Sequence, residues 1–221
     1  MYLLVAATEF ELEPARHALS SSRNVSFLVT GVGQVESAFA LTRYLAIRQN
    51  VSAVVNVGVA GAYHGCDLDL LRLCLARKEI LADFGICYPG RIDPLPAEKM
   101  AINREFDLEN KLFSESCRIL ELEHMPFDRG TFLTVSCASG TADRGSYLKE
   151  TFSAICENME GAALARVCLG FGVELLELRC VSNMVEDRNP SGWRLREACE
   201  NAGDAAARII RGLCDVEWSY R

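Results

Sequence analysis

The sequence predicts an α/β protein, a single three-layer α/β/α domain built on a mixed, mostly parallel central sheet. Three observations carry that expectation. Short, unbroken apolar runs recur at Tyr2–Ala7, Ser26–Thr30, Val51–Val57, Ala154–Met159 and Val173–Val181, the pattern of strands covered on both faces. Segments with helical signals separate most of these runs, and such alternation points to one sheet with helices on either side. The stretch Ala154–Arg188 then reads as strand, helix, strand, with polar residues set at the end of each strand. At 221 residues the chain suits one domain spanning 1–221 and buries most of its apolar surface. No linker, internal repeat or low-complexity segment breaks it.

The elements follow in order. Thr8 caps a helix from Glu9 to Leu19, with Glu11 at the capping-box position. The second strand, Ser26–Thr30, ends in Gly31-Val32-Gly33, a tight turn into a helix from about Val35 to Gln49 with Val35, Ala38, Phe39 and Leu45 on its apolar side. A Gly-x-Gly turn before a helix can cradle a phosphate. This one lacks the third glycine and the acidic residue of a dinucleotide site, and helix–strand packing explains it as well. The third strand runs into Gly58-Val59-Ala60-Gly61-Ala62, small residues that let a planar ligand or another backbone approach. Leu70–Leu81 reads as a strand pair or one bent strand, and Ala82–Lys99, with Pro89, Pro94 and Pro96, as a long loop of the functional or mobile kind. A short helix is expected at Arg104–Leu112, a strand at Gly130–Cys137, a helix at Asp143–Phe152 and a last helix from Trp193 to Gly212.

Composition narrows the function. Half the residues are hydrophobic, so the chain folds, and a net charge of −7 disfavours nucleic acid or an anionic membrane surface as partner. No apolar run reaches the length of a membrane span, and the first residues lack the basic start of a signal peptide. Ten cysteines include no Cys-x-x-Cys pair; Cys74, Cys137, Cys156, Cys168 and Cys180 read as reduced core residues of a cytoplasmic protein. His17, His64 and His124 lack ligand spacing, so no metal is expected.

In an open α/β sheet, ligands bind at the carboxyl ends of strands. Glu11, Met159, Glu160 and Asn183 all follow such ends. Each also has a plain reading. Glu11 is a helix cap, Glu160 an acid at a helix start, Met159 a core residue and Asn183 a turn residue.

Asn-Met-Glu-Gly-Ala-Ala (Asn158–Ala163), Arg-Cys-Val-Ser-Asn (Arg179–Asn183) and Ser-Asn-Met-Val-Glu-Asp-Arg-Asn resemble the purine nucleosidase and nucleoside phosphorylase superfamily. Among its members they are most similar to the futalosine hydrolases, nucleosidases of an alternative menaquinone pathway. The resemblance runs from Leu3 to about Arg211. It implies a nucleoside phosphorylase-like fold, a small-molecule nucleoside substrate, no cofactor, and a homodimer or larger homo-oligomer.

It also gives the polar residues tasks. Splitting an N-glycosidic bond requires holding a ribose that becomes cation-like, deprotonating a water, and stabilising the departing purine. Glu160 can accept hydrogen bonds from two vicinal hydroxyls, Glu11 can serve as general base, and Asn183 can donate to the purine, where a carboxamide leans toward a 6-oxopurine. Met159 offers an apolar face, and Val59, Ala60 and Gly61 a close approach. The superfamily's base-contacting loop corresponds to Ser139–Arg144, which places Ala142 and Asp143 at the base. Asp143 and Arg144 stand where stacking residues are usual, so Phe84 is a candidate for that role. In related phosphorylases an arginine and a serine flank the third-strand turn. Asn56 and Val59 stand there, which favours water over phosphate as the attacking group. Phe84, Tyr88, Arg91 and Lys99 are candidates to meet the carboxylate tail of the substrate.

Overall fold

The computed structural model describes residues 1–96, 100 and 102–219. Lys99, a candidate for the substrate tail, lies outside them. Strand β1 (Tyr2–Ala6) sits between β2 (Val25–Val29) and the first residues of β3 (Ala53–Tyr63), parallel to both. On the far side of β3 runs β10 (Glu174–Val185), also parallel. β10 then pairs antiparallel with β4 (Leu73–Leu81), β4 parallel with β8 (Phe127–Thr134), and β8 parallel with β9 (Ala154–Asn158). β9 returns antiparallel to the end of β3. The sheet therefore curls until β3, β10, β4, β8 and β9 close a circuit, with β1 and β2 extending from one side. A short strand β7 (Glu105–Asp107) edges β4, and β5 (Gly85–Tyr88) with β6 (Arg91–Pro94) forms a separate hairpin.

Side chains of β1 alternate between the two helical layers, as the pleat requires. Tyr2, Leu4 and Ala6 enter the core shared with α1 (Glu9–Ala18), α3 (Lys111–Leu122) and α6 (Leu195–Ser219). Leu3 and Val5 enter the core shared with α2 (Gln34–Ile47) and α5 (Gly161–Phe171). Helix α4 (Ala142–Phe152) covers a third cluster through Leu148. Gly203 of α6 lets α1 come close: a Cβ there would lie 2.6 Å from Pro14 Cβ and 2.9 Å from Ala15 N. Pro14 therefore sits inside α1 at the point of closest approach.

Four expectations are corrected. Arg104–Leu112 is not a helix: Phe106 is buried between exposed Glu105 and Asp107, a period of two that fits β7 on the edge of β4. The helix begins later, where the Asn110 side chain accepts from Phe113 N at 2.8 Å. On α2, the core side is Ser37, Leu41 and Leu45, while Val35 (80 % exposed) and Phe39 (63 %) face outward. Cys137 is exposed beyond the end of β8 rather than in the core. The Ala82–Lys99 loop contains the β5–β6 hairpin.

Strands β3 and β10 also run further than their apolar patterns suggest. Both continue in register through the Gly58–Ala62 and Ser182–Val185 stretches, with a bulge between Val181 and Asn183. A bulge re-aims the side chains beside it.

Candidate active site

Glu11 is held by two sets of donors. Its Oε2 accepts from Thr8 N (3.1 Å) and Thr8 Oγ1 (2.8 Å), completing the capping box. Its Oε1 accepts from Val59 N at 3.2 Å. The carboxylate is thus both cap and cleft residue, since β1 hands its C-terminal end directly to α1 beside the glycine-rich part of β3.

Glu160 lies where β9 passes into α5. Asn158 Oδ1 accepts from Glu160 N (2.9 Å) and Gly161 N (2.7 Å), fixing the start of the helix. Glu160 Oε1 accepts from Gly33 N at 2.9 Å, and Oε2 from Arg179 Nη2 at 3.3 Å. The donor from the Gly31-Val32-Gly33 turn is therefore committed to a carboxylate, which explains the turn without a phosphate. Gly33 adopts φ +88°, a backbone setting that favours glycine. Each Glu160 oxygen keeps a lone pair for a ribose hydroxyl.

Between these acids stands Arg179, 2 % exposed. It donates to Glu177 Oε1 from Nε (3.0 Å), to Val59 O from Nη1 (3.3 Å) and to Glu160 from Nη2. Burial alone lowers the tendency of a guanidinium to hold its proton; Glu177, Glu160, Glu11 and Glu79 outweigh it and raise the Arg179 pKa. A Cβ at Gly58 would fall 2.7 Å from both Arg179 Nη1 and Glu11 Oε1, so the two charges converge above that glycine.

Beneath the site Glu79 and Glu177 are fully buried. Burial first, then the Glu177 charge, push the Glu79 pKa well up. Both carboxyl groups occupy the space a Cβ would take at Gly161, at 2.2 and 2.4 Å. The glycine of the Met-Glu-Gly motif is thus a steric requirement of this buried pair.

At the other end of the cleft, Asn183 Oδ1 accepts from Ser182 Oγ (2.9 Å) and Nδ2 donates to Met184 O (3.2 Å). A carboxamide nitrogen has two hydrogens, so one remains for a ligand. Glu157 accepts from Ser139 N (2.7 Å) through Oε1, and from Ser139 Oγ (2.7 Å) and Tyr63 OH (3.0 Å) through Oε2. Burial, then Glu157, raise the Tyr63 pKa, so its hydroxyl stays a donor.

Glu11, Glu157, Glu160, Arg179, Ser182 and Asn183 line one cleft of about 210 Å³. Of the residues predicted from sequence, it brings together Glu11, Val59, Ala60, Gly61, Met159, Glu160 and Asn183. Ala142, Asp143 and Phe84 are not among its lining residues. Ala142 opens α4 and donates its N–H to Asp187 Oδ1 at 3.2 Å. Asp143 lines a second hollow of about 350 Å³ with Tyr88, Arg91, Arg144 and Tyr147. Phe84 is 44 % exposed at the start of the hairpin. The aromatic group that the cleft does contain is Trp193, with the Arg188 guanidinium 5.0 Å from its ring centroid. Of the expected base-contacting loop Ser139–Arg144, Ser139 lines the cleft, and so do Arg179 and Glu157, which the sequence does not single out. Among the described residues no group of His, Cys, Asp or Glu is arranged to hold a metal ion.

The fold is that of a known class. The phosphorylase superfamily matches residues 14–214, and the chain belongs to it. It is similar over its whole length to futalosine hydrolase of Thermus thermophilus, 35% identical across 100% of this chain and 98% of that relative. It is also similar to the 5'-methylthioadenosine/S-adenosylhomocysteine nucleosidase of Bacillus pumilus, 28% identical over 86% of this chain and 81% of the other. The fold superposes on a futalosine hydrolase mutant of Helicobacter pylori with a TM-score of 0.84 at 18% identity, covering 95% of this chain and 98% of that one.

Proposed function

We propose that this chain hydrolyses the N-glycosidic bond of futalosine, releasing hypoxanthine and dehypoxanthinylfutalosine on the futalosine route to menaquinone. The observation that carries the reading is the meeting of Glu11, Glu160 and Asn183 in one cleft of a chain 35% identical, end to end, to a futalosine hydrolase. Glu160 holds the 2′- and 3′-hydroxyls, its charge favouring the cation-like ribose. Glu11 takes a proton from a water placed between it and the anomeric carbon. Asn183 donates to the purine as electrons flow into it, the departing hypoxanthine anion takes its proton from solvent as the water oxygen bonds to the anomeric carbon, and Met159 and Trp193 supply apolar walls.

Water, not phosphate, is the attacking group. Phosphate needs a donor-rich or cationic pocket. Here Val59 N, the donor offered by the glycine-rich strand, already binds the Glu11 carboxylate, and the Asn56 amide donates to Glu177 at 3.2 Å. In phosphate-free buffer the protein should release free hypoxanthine from futalosine. A sugar 1-phosphate formed on adding phosphate would contradict the mechanism.

Base choice rests on Asn183. With Oδ1 engaged by Ser182 Oγ, the carboxamide shows the purine a donor, which suits the O6 and N7 acceptors of hypoxanthine. Unmatched buried polar groups cost roughly 1–3 kcal/mol, so Asn183→Asp should reduce kcat/KM for futalosine roughly ten- to a hundredfold and favour its 6-amino analogue, aminodeoxyfutalosine. Unchanged relative rates would remove Asn183 from base selection.

Self-association is proposed on the exposed apolar face of α2, where Val35 and Phe39 stand with Val32 and Ile47; patches of this kind mark interaction sites. Light scattering that returned one chain's mass would contradict it. Ten free thiols fit a reducing compartment, and none of the described helices is long and apolar enough to cross a membrane. We propose a cytoplasmic location, which the free thiols support.

A further inference from the structure

Asn183, Gly61 and Glu157 stand in one row across three strands. Asn183 of β10 pairs in register with Gly61 of β3, and Gly61 with Glu157 of β9. Neighbours in register project from the same face, at about 4.8 Å per strand. The middle member of this row has no side chain. A Cβ built there would lie 3.1 Å from both Asn183 Nδ2 and Val185 Cγ2 and 3.7 Å from Glu157 Cγ, so Val185 adds an apolar edge to the space between the two polar groups. A carboxamide and a carboxylate thus border one gap from opposite sides, and all three residues line the cleft.

The two borders differ in polarity. Asn183 shows the gap an N–H. Glu157, 6 % exposed, is surrounded by donors: Ser139 N, Ser139 Oγ and Tyr63 OH. A carboxylate accepts at about four lone-pair sites, so three protein donors leave one site for a ligand in the cleft. A 6-oxopurine in its lactam form carries the complementary edge: N7 and O6 accept, and N1–H donates. A 6-aminopurine has a lone pair at N1, which a carboxylate repels.

We propose that Glu157 is a specificity-determining residue that accepts the purine N1–H, so that Asn183 and Glu157 read the two sides of a 6-oxopurine placed over Gly61. This rests on the 6-oxopurine reading given above and adds the residue that rejects the amino base. Glu157 also holds the Ser139 turn, so the test must separate selection from support.

The experiment compares kcat/KM for futalosine and its 6-amino analogue in wild type and in Glu157→Gln, which keeps the shape and removes the charge. Hypoxanthine and 1-methylhypoxanthine are run beside them as inhibitors. The wild type should bind 1-methylhypoxanthine at least tenfold more weakly than hypoxanthine. The variant should narrow that gap and lower the futalosine preference at least tenfold. An equal fall on both substrates, with the preference intact, would reduce Glu157 to a support for the Ser139 turn and overturn the proposal. If the variant does not fold, the wild-type inhibitors decide: equal binding of the two bases overturns it. A wild type that prefers the 6-amino substrate would overturn this inference together with the 6-oxopurine reading. A wild type that prefers futalosine beside an unmoved variant overturns the role of Glu157 alone.

Discussion

Glu11→Gln should lower turnover of futalosine by roughly 10²–10⁴-fold, the usual worth of a general base, while the protein remains folded. The substitution separates the two jobs of this side chain. Glutamine at the third helical position also satisfies a capping box, so the bond from Thr8 N to the side chain is retained and α1 stays anchored. What is lost is the basic oxygen that now rests on Val59 N at 3.2 Å, within the cleft. Turnover under saturating substrate and the thermal unfolding midpoint should be measured together. Near-full turnover in the variant would leave Glu11 as a helix cap and remove the water-activating step from the mechanism.

Loss of the ribose clamp should be comparably severe. Glu160 accepts from Gly33 N and Arg179 Nη2, and these bonds aim its two oxygens. Hydrogen bonds to a charged group are worth about 1.5–3 kcal/mol each. Glu160→Ala removes two from the substrate and should lower kcat/KM by roughly 10²–10⁴-fold. It also strips one counter-charge from buried Arg179, which is costly in itself, so Glu160→Gln serves as the milder partner. A 2′-deoxy substrate forfeits one bond and should be poorer by roughly ten- to a hundredfold on wild type. Equal kcat/KM for the ribo- and 2′-deoxyribonucleoside would show that Glu160 does not hold the sugar.

The parts of this cleft that were legible in the sequence are those set by local rules. Glu11 follows an apolar run and a capping threonine; Met159, Glu160 and Asn183 follow apolar runs that end abruptly. Position at a strand end was enough to gather them. Arg179, Glu177, Glu79 and Glu157 lie inside strands, and apart from the Arg179–Glu177 pair within β10 their partners come from distant parts of the chain, so no local pattern gathers them. A signal was nonetheless present. Leu-Leu-Glu-Leu-Arg-Cys-Val is an apolar strand interrupted by two opposite charges, and charges inside a buried strand require partners. Trp193, the aromatic residue that lines the cleft, is hidden in the sequence for a different reason. Trp193 was read as the first turn of the last helix. The chain instead makes a 3-10 turn at Pro190–Gly192, leaves Trp193 extended, and starts α6 at Leu195. Within Arg104–Leu112 the alternation of Phe106 and Leu108 with charged neighbours is a strand signal, too short to outweigh a helical reading until β7 is seen on the edge of β4.

The central claim is that this cleft is built for futalosine rather than for an adenine nucleoside. Side-by-side measurement of kcat/KM for futalosine, its 6-amino analogue and methylthioadenosine on the wild-type protein tests it most directly. Donors from Asn183 and an acceptor at Glu157 predict futalosine ahead of both by at least tenfold, a margin of about 1.4 kcal/mol. Faster cleavage of either adenine nucleoside would contradict the account.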